Sequence, residues 1–147
     1  MVASKDAEIL IVEDNPNDKE LTMRALKRAN VTNEIRVATD GAEALDLFFG
    51  KGAYADVPPA ALPRVILLDI KLPKVDGLEV LRRLKADERT KVVPVVVLSS
   101  SREESDRVAS YHYGVNSYIV KPVDSENFFE AVKTVGLYWL LLNEPPH

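Results

Sequence analysis

The feature that most restricts the fold of this chain is a repeated alternation. Strand-length runs, mostly apolar, stand at Ile9–Val12, 34–38, Val65–Asp69, 93–98 and Ser117–Val120. Each is followed by a stretch of helical period, at 17–29, 42–49, Gly77–Ala86, 102–113 and 124 to about 142. Most of the runs lack the apolar–polar alternation of a strand with one wet face, so they predict parallel strands covered on both faces. Parallel neighbours require right-handed crossovers. The expected fold is therefore α/β, a five-stranded parallel sheet wound on both sides as (βα)5. In such sheets ligands sit beyond the carboxyl ends of the strands, near the point where strand order reverses. The chemistry should be sought where the strands end.

Local signals agree with this layout. Pro16 suits a first helical turn, with Asp14 or Asn15 as its cap, and Asp40-Gly41 reads as a turn and cap for the second helix. The stretch 50–63 holds two glycines and three prolines and reads as an irregular loop, long for a compact domain. A length of 147 residues fits one domain, expected over 8–142, with a flexible N-terminus at 1–7 and a tail at 143–147.

Composition removes several function classes. With no cysteine, disulfides, thiolate zinc sites and cysteine nucleophiles are excluded, and two histidines (His112 and His147) are a poor basis for a histidine metal site or a Ser-His-Asp triad. The net charge of −4 gives no electrostatic reason to bind nucleic acid or an anionic membrane. Without a signal-peptide layout or a bilayer-length apolar stretch, the expected location is the cytoplasm.

The strand ends carry Glu13-Asp14, Asp69, Ser99 and Lys121. Each alone has an ordinary explanation: a helix cap, a solvated strand end, a helix-entry serine, a surface lysine. Their joint placement on four strands is harder to obtain by chance. Crowded carboxylates raise the cost of ionisation unless a hard cation such as Mg²⁺ sits among them. With that ion present, a carboxylate can attack phosphorus and form an aspartyl-phosphate, and a carboxylate needs no general base. The cation, the Lys121 ammonium and the Ser99 hydroxyl would then each take one phosphoryl oxygen.

From about Glu8 to Leu142 the sequence resembles the receiver domain of two-component response regulators, a flavodoxin-like fold. The segments that carry the resemblance are IVEDN, LLDIKLPKVDGLEVL, VVVLSSS and YIVKP, with Lys121 following Ser99 by 22 residues. The resemblance implies that Asp69 is the phosphoacceptor and that Glu13 and Asp14 are the acidic pair at Mg²⁺. Asp14 would be the more direct ligand, Glu13 would act through water, and Lys71 would offer its backbone carbonyl. Ser99 would be the switch hydroxyl, Lys121 the phosphate-binding lysine before a cis Pro122, and Tyr118 the aromatic switch residue. A Glu-Asp pair replaces the commoner Asp-Asp, and the longer Glu arm should still reach a metal-bound water.

The sequence ends soon after the fifth predicted helix, so output is expected through contact with a partner or onward phosphotransfer. Six consecutive apolar residues at 137–142, before a short Pro-rich tail, exceed what one helix face buries in a monomer. This end resembles the stand-alone regulators of phytochrome-type histidine kinases, which implies a sensor histidine kinase as partner. It also implies a homodimer through helix four, strand five and helix five, with Tyr138, Trp139 and Leu142 at the interface. Tyr111-His112-Tyr113 would belong to the same surface.

The competing readings are a pseudo-receiver that binds without phosphorylation, an aspartyl-phosphate enzyme and a flavodoxin-type cofactor module. Retention of all five site residues opposes the first. The haloacid-dehalogenase arrangement would want its D-x-D pair after strand one, and the acidic VEDNPND segment would repel a flavin phosphate. The cluster Arg82, Arg83, Lys85 and Arg89, with Lys91 beyond, reads as a solvated face.

Overall fold

The computed structural model describes residues 9–29, 31, 33–70, 72, 74–99, 112–115, 117–120, 126, 129, 130 and 133, with backbone alone at 99, 117, 118 and 120. The elements run β1 (Ile9–Val12), α1 (Pro16–Arg28), β2 (Ile35–Ala38), α2 (Gly41–Phe49), β3 (Val65–Asp69), α3 (Gly77–Ala86), β4 (Val95–Ser99) and β5 (Ser117–Val120). The five strands form one sheet in the order β2-β1-β3-β4-β5, every pair parallel. The order reverses between β1 and β3, whose register sets Val12 opposite Leu68. The predicted helices at 102–113 and 124–142 lie mainly outside the described residues, though His112 and residues 126, 129, 130 and 133 are helical.

Alternate strand residues serve opposite layers, which is why β1 and the runs 65–68 and 95–98 are apolar throughout. Leu10, Val12, Ile66, Leu68, Val95 and Val97 pack with Phe48 of α2 and with Val80, Leu81 and Leu84 of α3. Ile9, Ile11, Val65, Leu67, Val96 and Leu98 pack on the other face with Ala25 and Leu26 of α1 and with Phe129. Each fully buried Leu or Ile contributes about 1.5–3 kcal/mol relative to exposure.

Element ends follow local chemistry. Asn15 is extended, and its side chain accepts from the Asp18 N–H at 3.0 Å, so the cap of α1 falls to Asn15 rather than Asp14. The helix starts at Pro16, one residue before the expected start. β4 begins at Val95 instead of 93 because Pro94 has no N–H to donate; its carbonyl accepts from the Ile66 N–H at 3.0 Å.

The stretch 50–63 is tied down more than its composition predicts. It holds one short 3₁₀ turn (Pro59–Ala61), and it buries Tyr54 in a stack on Phe48 with ring centres 5.0 Å apart. The Arg89 guanidinium donates to the carbonyls of Phe48 (2.6 Å), Tyr54 (2.7 Å) and Val57 (3.2 Å). Lys85 donates to the carbonyls of Val93 (2.7 Å) and Lys91 (3.1 Å), and burial pushes its ammonium below the ordinary lysine value. The expected solvated face is thus divided: Arg82, Arg83 and Lys91 are exposed, while Lys85 and Arg89 are half-buried tethers. Among the described residues no helix is long and apolar enough to cross a membrane.

Candidate metal centre

Because β1 and β3 are neighbours in register, the residues just past Val12 arrive level with the end of β3. Glu13 continues the ladder, its N–H donating to the Ala38 carbonyl at 3.0 Å. One carboxylate oxygen each of Glu13, Asp14 and Asp69 lie within 4.8 Å of one another. Glu13 is 2% exposed and Asp69 6%, whereas Asp14 is open to solvent. The Glu13 carboxylate accepts from the Asn15 N–H at 3.2 Å, which orients it.

Three like charges this close repel, most strongly where two are shielded from water, and a divalent cation offsets that repulsion. The donor set is all oxygen, without imidazole or thiolate, which fits a hard ion such as Mg²⁺ or Mn²⁺. Asp14 is exposed, so water can reach the cluster from its side. The residues present therefore fit the expected ion.

The loop after Asp69 is folded tightly against the strand end. The Ile70 N–H donates to the Leu98 carbonyl at 3.3 Å, and the Gly77 N–H donates back to the Ile70 carbonyl at 3.0 Å. A Cβ at position 77 would collide with the Asp69 carbonyl oxygen and the Ile70 backbone, so only glycine fits. The far side of the loop meets the start of α2. Lys74 adopts φ +67° and pairs with Asp40 at 3.5 Å, while Gly41 lies so close to the Val75 carbonyl that a Cβ there has no space. The hydrogen bond from the Glu43 N–H, aided by the Lys74 charge, holds the Asp40 carboxyl below the usual carboxylate value.

Of the residues expected at the site, Glu13, Asp14 and Asp69 are brought together. Ser99 ends β4, one residue past the Leu98 that pairs with Asp69, and its backbone pairs with Val120 of β5. Tyr118 lies on β5 opposite Val97. Lys71, Lys121, Tyr138, Trp139 and Leu142 fall outside the described residues. The contact of Asp40 and Gly41 with the loop at Lys74 and Val75 was not anticipated. The sequence marks Asp40-Gly41 as a turn and helix cap, which the structure bears out, but neither that nor a positive φ at a lysine signals a contact with another loop.

Residues 9–133 match the model of the response regulator receiver domain. Among curated relatives, a probable methanogenesis regulatory protein FilR2 of Methanothrix harundinacea is 43% identical over 94% of this chain and 86% of its own. Response regulator Rcp1 of Synechocystis is 38% identical over 90% and 88%. Its Mn²⁺-bound crystal structure superposes with a TM-score of 0.81 at 36% identity, covering 96% of this chain and 99% of that one. The phosphorylated cyanobacterial phytochrome response regulator RcpA gives 0.81 at 40% identity, covering 92% and 95%. The bacteriophytochrome response regulator AtBRR gives 0.73 at 52% identity, covering 94% and 98%.

Proposed function

The chain belongs to the response regulator receiver family, and from that premise we propose that it accepts a phosphoryl group on Asp69 from a sensor histidine kinase in a Mg²⁺-dependent reaction. The observation that carries the reading is the convergence of Asp69, Glu13 and Asp14 at one sheet edge, with Asp69 at the end of a buried strand. An Asp69 carboxylate oxygen attacks phosphorus as the phosphorus–nitrogen bond of the kinase phosphohistidine breaks and the imidazole leaves with the electron pair. Mg²⁺, held by Asp14, Asp69, the Lys71 carbonyl and, through water, Glu13, would supply charge neutralisation for the phosphoryl oxygens. The Ser99 hydroxyl donates to one of those oxygens and the Lys121 ammonium pairs with another. The displacement of Ser99 toward the phosphoryl group lets Tyr118 turn inward, altering the face formed by helix four, β5 and helix five.

The receiver unit is assigned to 8–142, and the protein to the cytoplasm as a signalling protein rather than an enzyme acting on outside substrates. A phytochrome-type kinase is favoured as partner by the likeness to the bacteriophytochrome response regulator AtBRR and the phytochrome response regulator RcpA, and a homodimer through Tyr138, Trp139 and Leu142 is part of the same reading. The likeness to FilR2 favours a second reading, in which the same receiver chemistry serves a kinase of another pathway.

Incubation with acetyl phosphate and Mg²⁺, followed by intact mass, tests the acceptor. The wild type should gain one phosphoryl mass, and Asp69→Asn or chelated samples should not. No gain in wild type, or an equal gain in Asp69→Asn, overturns the assignment.

A further inference from the structure

We infer that the Asp40–Lys74 ion pair is a latch on the β3–α3 loop that sets how tightly the carboxylate cluster holds a divalent cation. The inference rests on the proposed metal-dependent reading of the site. It starts from how the loop is fixed. At its base the loop leaves the strand directly after Asp69, tied by the Ile70–Leu98 and Gly77–Ile70 hydrogen bonds, and it returns to Gly77, which lies against the Asp69 carbonyl oxygen. At its far side stands Lys74 with φ +67°, a conformation that disfavours a side chain and persists only where the surroundings hold it.

What holds it comes from another element. One Asp40 oxygen caps α2 by accepting from the Glu43 N–H at 2.7 Å, and the other faces the Lys74 ammonium at 3.5 Å. The Asp40 side chain is 16% exposed and that of Lys74 69%, so the acid is the sheltered partner. Beside this pair the Val75 carbonyl rests on Gly41. An ordinary surface pair joins two side chains that would lie there anyway; this one joins a helix cap to a loop in a strained conformation. Position 71, the proposed carbonyl ligand, lies in sequence between the two anchors. Asp40 and Lys74 are therefore positioning residues, acting on the ion through the loop.

The two duties of Asp40 are separable. Asparagine caps a helix as well as aspartate does, so Asp40→Asn removes the charge and keeps the cap. Lys74→Gln removes the other charge. Calorimetric Mg²⁺ titration of wild type, both single variants and the double variant is the test. Each single variant should raise the Mg²⁺ dissociation constant about two- to fivefold, the range an exposed ion pair supports. The double variant should be no weaker than either single one, and the differences should shrink at high salt. Phosphorylation by acetyl phosphate at saturating Mg²⁺ should match wild type, which a general loss of structure would not allow. Equal Mg²⁺ affinities across the set, or additive losses in the double variant, overturn the latch and leave the proposed function standing. A wild type that binds no Mg²⁺ overturns both.

Discussion

Arg89 commits its guanidinium to three backbone carbonyls of one segment, from the last turn of α2 to Val57. Charge-assisted bonds to half-buried carbonyls are worth more than neutral ones, and losing the donor leaves all three acceptors short. Arg89→Ala should lower stability by about 2–3 kcal/mol, read as the midpoint of urea unfolding. Arg89→Lys should recover little, because an ammonium cannot fork among three acceptors. A midpoint within error of wild type would show that the loop holds itself. This role was not legible in the sequence, where Arg82, Arg83, Lys85 and Arg89 look alike. The partners are main-chain oxygens 32 to 41 residues away, and a carbonyl carries no residue type to read. Asp69 is the opposite case. It ends a buried run and heads a turn, so its placement follows from the pattern around it.

At the scale of elements, the strands were legible because burial on both faces demands uninterrupted apolar residues, and four residues of β1 and five of β3 are all buried. Their ends were less so. The start of β4 turned on the missing N–H of Pro94, and the start of α1 on which of two adjacent acceptors took the cap. The start of α3 is fixed by contact rather than by capping, since Asp76 makes no side-chain cap bond. Gly77 lies against the Asp69 carbonyl oxygen, so Gly77→Ala has to push the helix away from the strand end. We expect a loss of about 1–3 kcal/mol from overpacking, seen in thermal melting. A slower mass gain from acetyl phosphate should accompany it, because the displaced backbone is that of Asp69. Wild-type melting and an unchanged rate would mean the helix slides without cost.

For the molecule as a whole, the sheet order brings residues 13, 14 and 69 together by making β1 and β3 neighbours. That the acids gather at one sheet edge followed from the strand–helix alternation and their positions at strand ends; that β1 and β3 are neighbours did not, because the same alternation fits more than one strand order. The contact between α2 and the β3–α3 loop did not, since it depends on how closely two turns approach in space. Association belongs to this scale as well. Light scattering should find a dimer for the intact chain and a monomer after truncation before Tyr138; a monomer in both cases would refute the proposed dimer. The Arg89 tether has a further consequence, for rates. Its acceptors lie 32 to 41 residues back in the chain, so it closes only once α2 and α3 have docked, and we expect it to form late, on the native side of the folding barrier. Its loss should therefore leave refolding nearly unchanged and hasten unfolding, which makes the 50–63 segment a determinant of how long a folded molecule survives rather than how fast it forms.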